Sequence, residues 1–203
     1  MKGLVLFGDS IFFGIGASKH TNGCGKILKS IAEFPVLIKG RNRDSTREGL
    51  KRLDSDVVKR EEFSHIVLLF GNNDCRFIGI NHALVDFDEY RENLYTMIYR
   101  LESAGKSVLI SNLQPIDSQG FYNTHPETKK FVTINETPYS WQKRYSDICE
   151  EVARDKKVIL IDIRTKLEAK ESEILASDGL HPNDLGHRII ADTILETLNK
   201  TSR

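Results

Sequence analysis

Five short apolar runs punctuate the chain at wide intervals: Leu4 to Phe7, Pro35 to Ile38, His65 to Phe70, Ser107 to Ser111 and Lys157 to Ile163. A strand with one wet face alternates apolar and polar residues. These runs are apolar almost throughout, which is the pattern of strands covered on both sides. Between them lie amphipathic stretches. Phe87 to Ser103 places Tyr90, Leu94, Met97, Ile98 and Leu101 on one side at helical spacing, and Gly105 supplies a stop. Tyr139 to Arg154 repeats the pattern with Tyr145, Ile148, Cys149 and Val152, and Asn183 to Leu198 does so with Leu185, Ile189, Ile190, Ile194 and Leu198. Strands alternating with helices predict a doubly wound α/β/α sandwich on a parallel sheet, with ligands bound beyond the carboxyl ends of the strands.

One stretch, Gln114 to Pro138, shows neither period and is too long for an ordinary connection, so it reads as a loop excursion of the kind that closes over a site. Its aromatic residues Phe121, Tyr122, His125 and Phe131, with Tyr139 and Trp141 just beyond, are expected to wall a pocket. Phe12, Phe13 and the segment Cys75 to Asp86 join them in that expectation.

Composition narrows the picture. A chain of 203 residues, 39% hydrophobic and 29% charged, suits one globular domain over residues 1–203. Lys plus Arg and Asp plus Glu both total 29, so there is no basic field and nucleic acid is not an expected partner. No run approaches the roughly 18 apolar residues of a membrane span, and no extended apolar face points to stable membrane association. The first apolar run is broken at once by Gly8 and Asp9, so no leader is read there and a cytoplasmic location is expected. Cys24, Cys75 and Cys149 are widely spaced, without a C-x-x-C pair. They read as reduced structural thiols, and no metal or other cofactor is expected.

Candidate chemistry collects at three predicted strand ends. Gly8-Asp9-Ser10 puts a serine where a strand turns into a helix, but a serine is a nucleophile only with a base beside it. Gly71-Asn72-Asn73-Asp74 ends the third strand and can aim amide donors into the same crevice, where acyl transfer builds charge on a carbonyl oxygen. Ser177-Asp178-Gly179-Leu180-His181-Pro182 precedes the last helix. Its three-residue spacing lets the Asp178 carboxylate reach the His181 Nδ1–H and leaves Nε2 to take a proton from serine. Each segment alone is a common turn or cap. Together, in this order, they assemble a nucleophile, a base and a carboxylate.

At these residues the chain resembles the SGNH hydrolases, the GDSL-like lipase/acylhydrolase family, from Leu4 to Leu198. Gly8-Asp9-Ser10-Ile11 corresponds to the first block, with isoleucine in place of the usual leucine. Ile38 to Thr46 stands where the family has a glycine-rich turn ending in threonine; Gly40 is the matching glycine, whereas Arg43 occupies a position where a second glycine is usual. Gly71-Asn72-Asn73-Asp74 fits Gly-x-Asn-Asp, and Asp178-Gly179-Leu180-His181 fits Asp-x-x-His. The resemblance implies a flavodoxin-like sandwich of five parallel strands in the order 2-1-3-4-5. It further implies Ser10, Asp178 and His181 as a triad, an oxyanion hole from Ser10, Gly40 and Asn73, Asp74 as organiser of its loop, and metal-free hydrolysis of esters or thioesters, with a small soluble ester preferred as substrate.

Three competing readings remain on the residues alone. One keeps the fold as a non-catalytic small-molecule-binding module, to which Gly14-x-Gly16 would lend a weak phosphate-loop signal. Another gathers Asp178, His181, Asp184 and His187 as metal ligands, although Pro182 and a helix start divide that set. A third uses Cys75 as nucleophile, with no base at matched spacing.

Overall fold

The computed structural model describes residues 2–132 and 136–201. In chain order the strands are β1 (Leu4–Gly8), β2 (Val36–Gly40), β3 (His65–Leu69), β4 (Phe77–Gly79), β5 (His82–Ala83), β6 (Ser107–Ser111) and β7 (Ile159–Ile161). The α-helices are α1 (Ser10–Phe13), α2 (Cys24–Ile31), α3 (Thr46–Leu53), α4 (Phe87–Ser103), α5 (Ser118–Thr124), α6 (Pro138–Lys156), α7 (Ile163–Glu168) and α8 (Asp184–Thr201). Five strands form one parallel sheet in the order β2-β1-β3-β6-β7, which is 2-1-3-4-5 when only these five are counted. β4 and β5 pair separately as a small antiparallel hairpin.

The period of two along each strand divides the core. Val5, Phe7, Ile66, Leu68, Val108 and Ile110 face one side and pack against α3, α4 and α6. Leu4, Leu6, Val67, Leu69, Leu109 and Ile161 face the other and pack against α2, α7 and α8. Both faces are dry, which is why the strands read as continuous apolar runs.

Two sequence expectations shift. The last strand is shorter than Lys157 to Ile163 because helix signals trim it from both ends. Lys157 takes a left-handed conformation that closes α6, and Asp162 caps α7 by accepting from the Thr165 N–H. The stretch 114–138 holds α5 and a 3-10 helix, Pro126–Phe131, with residues 133–135 outside the described set. The α5 residues carry no apolar stripe. The helix is started by Asp117, whose side chain accepts from the N–H groups of Gln119 and Gly120.

Candidate active site

Ser10 is the first residue of α1, a one-turn helix capped by Asp9, whose carboxylate accepts from the Ile11 N–H at 2.9 Å. The sharp passage from β1 into this turn presents the Ser10 hydroxyl at the carboxyl end of the sheet. Its Oγ lies 3.0 Å from His181 Nε2, and His181 Nδ1 lies 2.7 Å from Asp178 Oδ2. An ionised carboxylate can only accept, so Nδ1 carries the ring hydrogen and Nε2 turns its lone pair to the serine. Partial burial works against ionised Asp178, but bonds from the His181 ring and from the N–H groups of His181 and Leu180 outweigh it and hold the carboxyl at about 2.

The Ser10 side rests on a buried polar network. Asp9, directly beneath, is fully buried, and burial pushes its carboxyl up to about 6 against the bonds from Ile11 and Asn72. Asn72 Nδ2 donates to Asp9 Oδ2 at 3.1 Å, and Asn72 Oδ1 accepts from Gln114 Nε2 at 2.9 Å and Gln142 Nε2 at 3.1 Å. Gln142 Oε1 in turn accepts from Arg164 at 2.9 Å. Buried Arg52 bolts the neighbouring strand ends together by donating to the carbonyls of Gly8 and Lys39 while pairing with Asp44.

The His181 side is a loop. Gly16, at φ +96°, lies so close to it that a Cβ there would fall 2.3 Å from the Pro182 carbonyl oxygen and 2.7 Å from His181 Cβ. Of the Gly14-x-Gly16 pattern, Gly16 thus serves packing against the histidine loop, while Gly14, at φ +99°, closes α1 and faces Gly23. From the other side α5 docks on Gly179: the Asp117 N–H donates to the Gly179 carbonyl at 2.8 Å, and Thr124 Oγ1 lies 3.1 Å from the Asp178 carbonyl oxygen.

A cavity of about 540 Å³ opens over Ser10. Ser10, Asn73 and His181 line it, with Phe77, Ile116, Phe131 and Trp141 as apolar wall. The indole stacks on Phe77 at 5.0 Å and donates to the Cys75 carbonyl. Asn73 spends one amide hydrogen on the Asp44 carbonyl at 3.0 Å, leaving the other free to act in the cavity. Asp74 lies behind, bonded to the N–H and hydroxyl of Thr46, and its burial pushes the carboxyl up to about 7.

Gly40 is not among the residues lining the cavity. It sits under α1, where a Cβ would come within 2.3 Å of the Phe13 nitrogen, and the wall from its loop is made by Asn42 and Arg43 instead. Phe12 and Phe13, expected as pocket walls, also turn elsewhere. Phe12 is buried in the core and Phe13 is 46% exposed, because the single turn of α1 points them away from the hydroxyl face. Tyr139 reaches outward to Glu168.

The grouping Asp178, His181, Asp184 and His187 is dispersed. Asp184 accepts from Ser18 and Asn22, while His187 is buried between the Cys24 N–H and the Ile15 carbonyl. Among the described residues no cluster of three or more His, Cys, Asp or Glu is gathered for a metal. Cys75 lines the cavity, yet burial pushes its thiol far above the ordinary range. No helix among the described residues is long and apolar enough to cross a membrane.

The order of the sheet, with a serine at the end of its first strand, defines a doubly wound α/β/α sandwich. The GDSL-like lipase/acylhydrolase family matches residues 6–189, and the chain belongs to that family. Among solved structures it is similar to a lipase/acylhydrolase from Enterococcus faecalis at 25% identity, with 99% of this chain and 97% of that one covered and a TM-score of 0.77. An acetyl xylan esterase shares 21% identity over 97% and 99% of the two chains at a TM-score of 0.76. A psychrotrophic esterase from Pseudoalteromonas sp., in a structure inhibited by monoethylphosphonate, shares 16% over 99% and 98% at 0.72. No curated protein matches the chain.

Proposed function

We propose that the chain hydrolyses small carboxylic esters through an acyl-enzyme on Ser10. The observation that carries the reading is the continuous hydrogen-bonded chain Ser10 Oγ, His181, Asp178 at 3.0 and 2.7 Å on the wall of a cavity. His181 Nε2 removes the Ser10 proton as Oγ bonds to the acyl carbon. The proton then passes to the alcohol oxygen as its bond to that carbon breaks. Water, deprotonated by the same nitrogen, adds to the acyl-enzyme, and the carboxylic acid leaves as Ser10 regains its proton. Asp178 stays ionised throughout and steadies the imidazolium.

The oxyanion formed on the way needs donors. The Ser10 N–H has no acceptor within its own helix, as the first residue of α1, and the free Asn73 hydrogen joins it. For the third donor, the place first read onto Gly40, the turn that follows fits better. The Arg41 N–H bonds back to the Gly8 carbonyl, so strand alternation turns the Gly40 N–H to the outer edge of β2, whereas Asn42 and Arg43 line the cavity.

A cavity of this size with aromatic walls suits a small ester better than a long acyl chain. The esterase neighbours support the reaction class. Ser10→Ala should leave a folded protein that neither hydrolyses p-nitrophenyl acetate nor takes up a fluorophosphonate label. Retained turnover in that variant would end the proposal, whereas a native protein that shows neither turnover nor labelling would favour a binding module on the same fold.

A further inference from the structure

The charge of the cavity rim carries a narrower conclusion about the substrate. Eight arginines among the described residues are ion-paired. Arg43 and Arg76 have no such partner, and both line the cavity over Ser10. They flank the proposed oxyanion donor. Arg43 precedes Asp44, whose carbonyl accepts from Asn73, and the Arg76 N–H donates to the Asn73 carbonyl at 3.2 Å. Among the described residues of the lining the one carboxylate is Glu127, from the 3-10 helix, and it pairs with neither arginine.

Arg43 also sits in a conformation that an arginine adopts at a cost. Its φ is +68°, in the left-handed region that glycine enters freely. A bulky residue kept in such a place is a pointer to function when it faces a site. Asn42 also lines the cavity and adds a neutral donor. Phe77, Phe131 and Trp141 line the same cavity and offer no charge.

We infer that Arg43 and Arg76 form an anion subsite, and that the ester cleaved at Ser10 carries a carboxylate or phosphate on one part while its apolar part lies against Trp141 and Phe77. Guanidinium groups match both anions through paired N–H donors. The inference rests on Ser10 being the nucleophile, and it names the class of ester that this nucleophile serves.

The test is a ratio of kcat/KM between matched esters, charged over neutral. One arm sets mono-4-nitrophenyl glutarate against 4-nitrophenyl valerate; the other sets 1-acetylglycerol 3-phosphate against 1-acetylglycerol. In the double variant Arg43→Gln, Arg76→Gln the ratio should fall about tenfold in the arm that matches the natural anion. In the unsubstituted protein it should fall as salt is raised. An unchanged ratio in both arms overturns the subsite and leaves the esterase reading standing. Absence of turnover with all four esters counts against the esterase reading instead, and the subsite is then decided by binding. Monomethyl glutarate titrated into Ser10→Ala protein and followed by NMR should saturate at about tenfold lower concentration than in the triple variant that also lacks both arginines. Equal affinities in the two sink the inference.

Discussion

Ser10 and His181 meet across a 3.0 Å gap, yet the two sides of that gap are held in different ways. Beneath Ser10, side chains from four separated segments interlock: Asp9 after β1, Asn72 after β3, Gln114 after β6 and Gln142 in α6, all buried. His181 instead belongs to a loop that largely bonds to itself, with the Ala176 N–H on the His181 carbonyl, the Gly179 N–H on the Ala176 carbonyl and Asp178 Oδ1 accepting from two N–H groups of its own turn. Among the described residues outside help comes at clips, from Gly16, from α5 and from Gln114 Nε2 to the Leu180 carbonyl at 3.3 Å. Ser10 is placed by the core, and His181 by local geometry with three tethers. Damage to the first side should therefore register as lost stability, and damage to the second as lost rate, joined by lost stability where a clip itself is broken.

The largest effect falls on the loop. Asp178→Asn keeps an oxygen for the turn but reverses the preference of the His181 ring, so kcat should drop on the order of 10³- to 10⁴-fold while the melting temperature moves by only a few degrees. A variant that simply unfolds would contradict the division drawn above. Next comes Gly179→Ala. A Cβ there meets the Phe121 nitrogen at 2.5 Å in a backbone at φ +67°, so α5 must back away. A loss of about 1–3 kcal/mol in urea unfolding is expected, together with a measurable fall in kcat. Wild-type values for both would mean that α5 is no tether.

On the other side, Gln142→Ala strips a donor from Asn72 and an acceptor from Arg164. It should cost roughly 1–3 kcal/mol of stability, with a smaller effect on kcat than Asp178→Asn. The reverse ranking would merge the two sides into one. The smallest effect concerns pH. Burial holds Asp74 protonated up to about 7, against an ordinary value of 3.8. Between those values the unfolded chain has given up the proton and the folded one keeps it, so this residue makes stability fall as pH rises and then level off. Asp74→Asn retains an acceptor for Thr46 and should flatten that decline when urea midpoints at pH 4.5 and 7.5 are compared. Equal slopes in the two proteins would refute the assignment.

Where the chain spoke plainly, it did so through regular spacing. The five apolar runs and the stripe of Tyr90, Leu94, Met97, Ile98 and Leu101 led directly to the sheet and α4, because burial on fixed faces imposes a period. Ser10, His181 and Asp178 were legible because two short segments carry all three. Asn72, Gln114 and Gln142 were not, since amides that meet from positions 42 and 70 residues apart leave no spacing to read. α5 escaped notice because a cap, rather than a stripe, creates it. Gly16 was visible but ambiguous; only the backbone of Pro182 explains why no side chain fits there. Gly40 shows the same limit: it ends β2 beneath α1 and does not line the cavity, a position decided by strand pairing rather than by residue type.

His187 has a consequence of its own. One ring nitrogen receives the Cys24 N–H at 3.2 Å and the other gives its hydrogen to the Ile15 carbonyl, so both are employed only while the ring is uncharged; burial accordingly holds its pKa below 6.5. A second ring proton would set two donors face to face at the joint between the start of α2 and the final helix. As acidity increases past the ordinary histidine range, the free chain takes up that proton before the folded one does, and the joint weakens. Tolerance of acid thus draws in part on an imidazole that lies outside the proposed site.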